Sequence, residues 1–444
     1  MEKTSRRDFI KTSSLAGLGL SLASNSFGIF ANGSPNKKIV VAMIGVNGRG
    51  GWLAQVVAKL PNVEIAYICD VDENVMIKCI TTVTDIQKKK PKGEKDLRKV
   101  LEDKSVDAVV IATPDHWHAP AAILACAAGK HVYVEKPISH NPNEGELVIQ
   151  ASKKYNRIVQ MGNQRRSWPN IIQCVNELHS GIIGNVYFAK GWYTNSRKTI
   201  GIGKVAPVPA NLDYELWQGP APRKEYKDNL IHYNWHWFWN WGTGEALNNG
   251  THEIDLIRWG LGADYPTRLS SLGGRYHFKD DWETPDTQVI NADFENGKSF
   301  TWESRSCNNY SVEGAGRGVI FYGDNGTLVT KGGNAYTVYD PSNKVVKDIT
   351  EQNNSDKTNT VSPGGEFLDG IHLNNFFDTI RGNTVQNSPA EQGFKSVLIC
   401  QLGNISYRTK RLLNIDSKNG HILNDEEAMK LWKRDYEKGW EPII

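Results

Sequence analysis

The sequence has no Cys-x-x-Cys pair, no long run of basic residues and no unbroken apolar stretch of membrane-spanning length. Its six cysteines (Cys69, Cys79, Cys126, Cys174, Cys307 and Cys400) are scattered, several within apolar strand or helix patterns. That spacing excludes a disulfide framework or a zinc cage and marks them as buried free thiols. The formal net charge is only +3 over 444 residues, and no basic stretch interleaves with aromatics, which argues against a nucleic-acid partner. Lys88-Lys89-Lys90 reads as a solvated helix end. A helix needs roughly 20 apolar residues to cross a bilayer. The nearest candidate, from about Leu15 to Ala31, is rich in Gly, Ser and Ala, so no membrane span is expected.

What precedes that stretch is informative. Ser5-Arg6-Arg7-Asp8-Phe9-Ile10-Lys11 followed by a moderately apolar run has the layout of a twin-arginine export signal. Residues 1–34 are therefore expected to be a signal peptide and the mature protein to be periplasmic. This route carries folded proteins, so a cofactor would be loaded before export. The rest, with 39% hydrophobic and 23% charged residues in the whole chain, suits two globular domains, 35–165 and 166–444.

The first domain alternates strands and helices. Lys38 to Ile44 is a Val/Ile-rich strand, followed by Gly45-Val46-Asn47-Gly48-Arg49-Gly50-Gly51 and a helical pattern through Lys59. A strand, a glycine turn and a helix make a dinucleotide phosphate site: the turn lets the backbone approach the pyrophosphate, and the helix start offers amide donors. Asn47 replaces the second glycine of the fingerprint, and Gly48 is expected to take over part of its role. The second strand, Val63 to Cys69, ends at Asp70, about where a carboxylate accepts the ribose hydroxyls. An acid there repels a 2′-phosphate, which favours NAD over NADP. The strand Val106–Ala112 leads into Thr113-Pro114-Asp115-His116-Trp117-His118, with a helix expected over 119–128; Thr113, Pro114 and His118 are placed to line the cofactor. The strand Lys130-His131-Val132-Tyr133-Val134 ends in Glu135-Lys136-Pro137, with Glu135 on the cofactor side and Lys136 expected at the reaction centre. A helix over 143–155 and a strand over 158–162 complete the half.

From about Arg165 the pattern becomes α+β: a helix over 169–179, a strand over 185–193, a long irregular segment, then closely spaced strands between Thr267 and Tyr339. Glu295-Asn296-Gly297-Lys298 is a hairpin signal between two of them. A large, mostly antiparallel sheet with one open face results, and that face is free to pair with another subunit. Two helices, Phe367 to Arg381 and Glu391 to Lys410, close the chain. In the irregular segment Trp235, Trp237, Trp239 and Trp241 alternate with other residues, which on an extended chain places indoles on one face; a sugar-stacking surface and a local core are both consistent with it. His232 and His236 lie among them with no third residue at ligand spacing, so no metal is expected. Next, Gly250-Thr251-His252-Glu253-Ile254-Asp255 opens a helix with His252 and Asp255 one turn apart. A histidine near a lysine can take a hydroxyl proton while hydride leaves to a nicotinamide.

These motifs, with Leu216-Trp217-Gln218-Gly219-Pro220-Ala221-Pro222, resemble the glucose-fructose oxidoreductase, inositol dehydrogenase and rhizopine catabolism (Gfo/Idh/MocA) family over the whole mature chain. The resemblance implies an N-terminal Rossmann domain and a C-terminal α+β domain, and NAD(P)-dependent chemistry on a sugar or polyol. It places Lys136 at substrate and nicotinamide, His252 as acid/base, and a homo-oligomer, dimer or tetramer, joined through the open sheet. Arg165, Trp235, Trp237, Asn248 and His252 are assigned to the substrate. Many members carry an aspartate where this chain has Asn248, an amide that can orient a hydroxyl but cannot ionise. Some members are NAD-dependent glycosidases that oxidise sugar C3 and then eliminate.

Overall fold

Short Val/Ile-rich strands build the first layer of the computed structural model, which describes residues 37–350 and 365–444. The arginine-pair leader lies outside the described residues. Strands β1 (Ile39–Ile44), β2 (Val63–Cys69), β3 (Lys92–Glu94), β4 (Ala108–Ile111), β5 (His131–Val134) and β6 (Val159–Met161) form a six-stranded sheet in the order β3-β2-β1-β4-β5-β6. Every pairing in it is parallel. Its central strands β1 and β4 are apolar on both faces because helices cover both: α1 (Arg49–Ala58), α2 (Glu73–Gln87), α3 (Leu97–Glu102), α4 (Asp115–Ala127) and α5 (Pro142–Lys154). Strand β3, Lys92-Gly93-Glu94, has no apolar pattern and is an edge strand held by backbone pairing to Tyr67–Cys69, whereas the short α3 buries Leu97, Val100 and Leu101 at helical spacing. Helix α4 starts at Asp115 rather than at Ala119. Pro114 serves as its N-cap with φ −59°, and Asp115 places a carboxylate in the positive first turn.

The chain then runs through a 3₁₀ turn (Gln164–Ser167), α6 (Pro169–His179) and β7 (Val186–Thr194) into the long segment 195–243. Helices α7 (Gly244–Asn248) and α8 (Gly250–Leu261) follow, then β8 (Pro266–Gly274), β9 (Thr287–Phe294), β10 (Ser299–Arg305), β11 (Arg317–Gly323), β12 (Gly326–Thr330), β13 (Tyr336–Tyr339) and β14 (Val345–Ile349). With β15 (Leu413–Asn414) they make a nine-stranded sheet, β14-β13-β12-β11-β7-β10-β9-β8-β15, mixed only at the parallel β7–β10 pair. The expected hairpin joins β9 and β10: Gly297 takes φ +74°, and Asp293 faces Ser299. Both strands alternate buried and less buried residues, so one face packs and the other stays open.

Helices α9 (Gly365–Ile380) and α10 (Ala390–Thr409) tie the halves together. Val397, Leu398 and Leu402 of α10 belong to one apolar cluster that includes Val134 and Met161 of the first sheet and Leu269 and Trp302 of the second. Leu373, Phe376 and Phe377 of α9 pack instead in the cluster on the opposite face of the parallel sheet, with Met43, Val110 and Tyr133. The cofactor half is thus closed by a helix more than 200 residues downstream of its last strand. Phe376 has no exposed surface. Phe376→Ala is expected to destabilise the protein by about 3–5 kcal/mol. Chemical denaturation measures this, and hydrogen exchange should speed up in β1 and β4 before the nine-stranded sheet.

Candidate active site

The glycine turn between β1 and α1 works by close approach. Gly45 has φ +75° and donates its N–H to Cys69 O at 2.8 Å, and a Cβ there would stand 2.8 Å from Thr113 N. Gly50 does not line the cavity: a Cβ on it would lie 1.8 Å from Gly45 O, so its part is to let α1 pack against the turn. Gly48, not Asn47, takes the left-handed backbone, with φ +47°, and nothing stands within 4 Å of where its Cβ would be. That open space over the start of α1 is what a pyrophosphate requires. At the end of β2 the Asp70 carboxylate accepts N–H bonds from Val46 (2.7 Å) and Asp72 (2.9 Å), while burial raises its pKa. The helix cap is Asp72, which accepts from Asn74 and Val75 N–H, so Asp70 is left facing the cavity.

Beyond β5, Glu135 accepts hydrogen bonds from Arg49 Nε (2.9 Å) and Gln164 Nε2 (3.1 Å). Arg49 also grips Asp369 of α9 through both terminal nitrogens (2.7 and 2.9 Å), and Trp52 Nε1 donates to the same carboxylate (2.8 Å). Burial alone would lower the Arg49 pKa, but Asp369 and Glu135 outweigh it and hold the guanidinium firmly charged. This buried network fixes the strand tip that carries Lys136. Lys136 Nζ donates to the backbone carbonyl of Asn248 (2.7 Å) and to its Oδ1 (3.2 Å), joining the two halves. Burial lowers the lysine's pKa, against the pull of Glu135 and Asp115.

His252 projects from the first turn of α8 into the same cavity. Burial pushes its pKa well below the usual 6.5, and the cations Arg165, Arg317 and Lys136 push it further. The imidazole is therefore neutral at physiological pH and able to accept a proton. Asp255 does not face His252: its carboxylate binds Arg166 Nε (2.9 Å) and Nη2 (2.8 Å) and Ser396 Oγ (2.6 Å) in the interior.

One cavity of about 820 Å³ brings together Gly45, Asn47, Gly48, Arg49, Asp70, Thr113, Pro114, His118, Glu135 and Lys136 from the first half with Arg165, Trp235, Asn248 and His252 from the second. One further expectation is corrected. Trp237 is not a cavity residue; it is 1% exposed and stacks on Trp282 at 3.9 Å. The reason is local: 234–237 is a 3₁₀ turn, not an extended chain, so Trp235 and Trp237 do not share a face. His118 lines the cavity but is already engaged, with Nδ1 against Pro137 O (2.6 Å) and Nε2 against Thr113 O (2.7 Å), which braces the Lys136 corner. Arg165 likewise spends donors on Glu253 (3.1 Å) and Gly332 O (3.1 Å), and burial lowers its pKa to about 10.

Sequence reasoning missed several groups. Arg317, from the start of β11, and Arg197 line the cavity; Arg317 pairs with Glu253 and Arg197 with Glu245, two fully buried carboxylates set behind the wall. Asp369 was equally invisible, since 320 residues separate it from Arg49. His236, to which the sequence assigns no role, lines the cavity as well.

Comparison with known proteins agrees with this geometry. The model of an oxidoreductase family with an NAD-binding Rossmann fold, GFO_IDH_MocA, matches residues 39–163, and that of the family's C-terminal alpha/beta domain matches 197–415. The chain belongs to the Gfo/Idh/MocA oxidoreductase family, and its first half is an NAD-binding domain. A glycosyl hydrolase family 109 protein of Saccharopolyspora erythraea is 31% identical over 220 residues, 45% of this chain and 48% of that protein. The chain thus spans about half the length of the curated relatives it matches. Two solved structures share the fold: levoglucosan dehydrogenase in complex with NADH and L-sorbose (TM-score 0.64, 18% identity, 86% of this chain, 99% of that one), and the WlbA dehydrogenase of Bordetella pertussis with NADH and UDP-GlcNAcA (TM-score 0.62, 16% identity, the same coverage).

Two measurements test the site. Asp70→Ser removes the carboxylate, and NAD affinity should fall about 10–100-fold, the loss of one charged hydrogen bond, while NADP binding improves; titration calorimetry reads both. Because the His252 pKa is depressed, its proton is already absent at pH 6.5 and is taken up only below it. The acid limb of kcat/KM should then lie below pH 6.5, and a limb at or above that value would contradict a neutral buried imidazole.

Proposed function

We propose that the protein is an exported NAD-dependent oxidoreductase acting on a hydroxyl of a sugar, glycoside or polyol, at C3 of a pyranose in the favoured case. The observation that carries this reading is the meeting of Lys136 Nζ and His252 with the glycine turn and Asp70 on one cavity. Gly45, Gly48 and the start of α1 would hold the pyrophosphate, and Asp70 the ribose. Bound NAD supplies the hydride acceptor. His252, neutral, takes the hydroxyl proton; Lys136 polarises the substrate oxygen; and Asn248, bonded to Lys136, orients without ionising.

Free NAD is scarce outside the cytoplasm, so a retained cofactor suits an exported enzyme. Segment 195–243 supports retention, because it crosses onto the corner that carries Asp70. Asn211 Nδ2 donates to Asp72 (2.9 Å), Glu73 N–H donates to Asn211 O (2.9 Å), and His232 Nε2 meets Asp72 at 2.9 Å. The open face of the nine-stranded sheet is the surface offered to a second subunit.

A second reading, supported by the glycosyl hydrolase name of the matched relatives, is an NAD-dependent glycosidase in which the oxidation is transient. An aryl-glycoside panel separates the two. Aglycone released without net NADH marks the glycosidase, and a stable keto-sugar with NADH marks the dehydrogenase. In either case Lys136→Ala should lower turnover at least about 100-fold. Turnover indifferent to Lys136 would overturn both. For export, changing Arg6 and Arg7 to Lys should leave the protein in the cytoplasm on fractionation.

A further inference from the structure

Four imidazoles line the cavity: His252, His118 with both nitrogens against backbone carbonyls, His232 with Nε2 against Asp72, and His236, which the oxidation does not use. His236 sits in the 3₁₀ turn 234–237, its ring stacked on Trp235 at 3.6 Å and 18°. Its Nδ1 lies 2.6 Å from the backbone carbonyl of Tyr233. A carbonyl only accepts, so Nδ1 carries the hydrogen, and Nε2 is left with its lone pair. Among the described residues no group hydrogen-bonds Nε2, and the residue lines the cavity. The stack and the carbonyl bond fix the ring plane and the tautomer together, as a second hydrogen bond fixes a catalytic imidazole elsewhere.

His252 and His236 reach the cavity from different elements, α8 and the turn. Burial depresses the His236 pKa, and the Lys136 charge adds to it as it does for His252, so both rings are neutral proton acceptors that feel one lysine. Removing hydride from a carbinol needs one proton acceptor. With His118 and His232 engaged by backbone carbonyls and by Asp72, His252 and His236 are the two imidazoles of the lining left to accept a proton, which equips the site for two proton transfers.

We propose that His236 is a second acid/base residue of this cavity, whose Nε2 takes the proton from the carbon next to the ketone that the oxidation forms. This inference rests on the oxidoreductase reading and deepens it. The step balances without an oxidant. The C–H bond breaks, its proton goes to Nε2, and its electron pair moves into the adjacent bond to give an enolate whose oxygen lies toward Lys136. If the carbon beyond carries an alkoxy group, that pair expels it and an enone remains; otherwise the proton returns. The residue therefore bears directly on whether the product is a keto-sugar or a cleaved glycoside.

The test bypasses oxidation by supplying a keto-sugar, a 3-keto hexoside, to the NAD-loaded enzyme in deuterium oxide, with proton NMR following the two hydrogens beside the ketone, at C2 and C4. The wild type should exchange one of the two, and both His236→Asn and His236→Phe should exchange it at least about 100-fold more slowly. Melting temperature and NAD content establish that each variant is folded. Nitrogen NMR of labelled enzyme adds a separate readout: His236 should be protonated at Nδ1 and bare at Nε2 at neutral pH. Exchange at the wild-type rate in either folded variant, or no exchange above the buffer rate in the wild type, would overturn the assignment. Failure of the oxidoreductase reading looks different: the wild type would form no NADH, no keto-sugar and no free aglycone from any parent sugar or glycoside.

Discussion

The site hangs on one buried ion cluster. Arg49, at the start of the first helix, holds Glu135 on one side and Asp369 on the other, and Trp52 and Gln164 complete the carboxylates' hydrogen bonds. Three remote stretches of chain, the glycine turn, the tip of β5 and helix α9, are thereby pinned at one point. A buried pair stripped of one partner costs about 3–5 kcal/mol. The cluster therefore tolerates little movement, and Lys136, the residue after Glu135, inherits that rigidity. A lysine aimed by its neighbours loses little entropy when substrate arrives.

The second constraint is electrostatic. Burial lowers the affinity of Lys136 and His252 for protons, and the surrounding cations act on His252 in the same direction. Arg165 and Arg317 share Glu253, a fully buried carboxylate, so positive charge faces the cavity while the compensating charge lies behind it. A field of that sign favours the alkoxide that develops when a hydroxyl loses its proton. On the proposed function, the neutral imidazole and the positive wall serve the same step.

Much of the fold was legible because its signals are local. Strands β1 and β4 are continuous apolar runs, β2 is interrupted only by Glu64, Asn296-Gly297 dictates a hairpin, and Pro169 starts a helix at the expected place. Lys136, Asp70 and His252 were legible for a related reason: each sits at the end of such an element, where parallel sheets and helix starts present side chains to ligands. What failed depends on contacts distant in sequence or on turn geometry. Asp369 has no signal of its own, the edge strand β3 exists only through its neighbour, and α9 joins the cofactor half although it follows the second sheet. The tryptophan alternation misled because a 3₁₀ turn has a period of three, which buries Trp237 and leaves Trp235 and His236 at the cavity.

The proposed function requires that a hydrogen leave a sugar carbon as hydride in this cavity. The most direct measurement uses a sugar deuterated at the carbon to be oxidised and follows the label by mass spectrometry of the bound cofactor after a single turnover. Deuterium should appear on nicotinamide C4 and should be absent from it in Lys136→Ala. Label that stays on the sugar, or passes to water without visiting the cofactor, would contradict it.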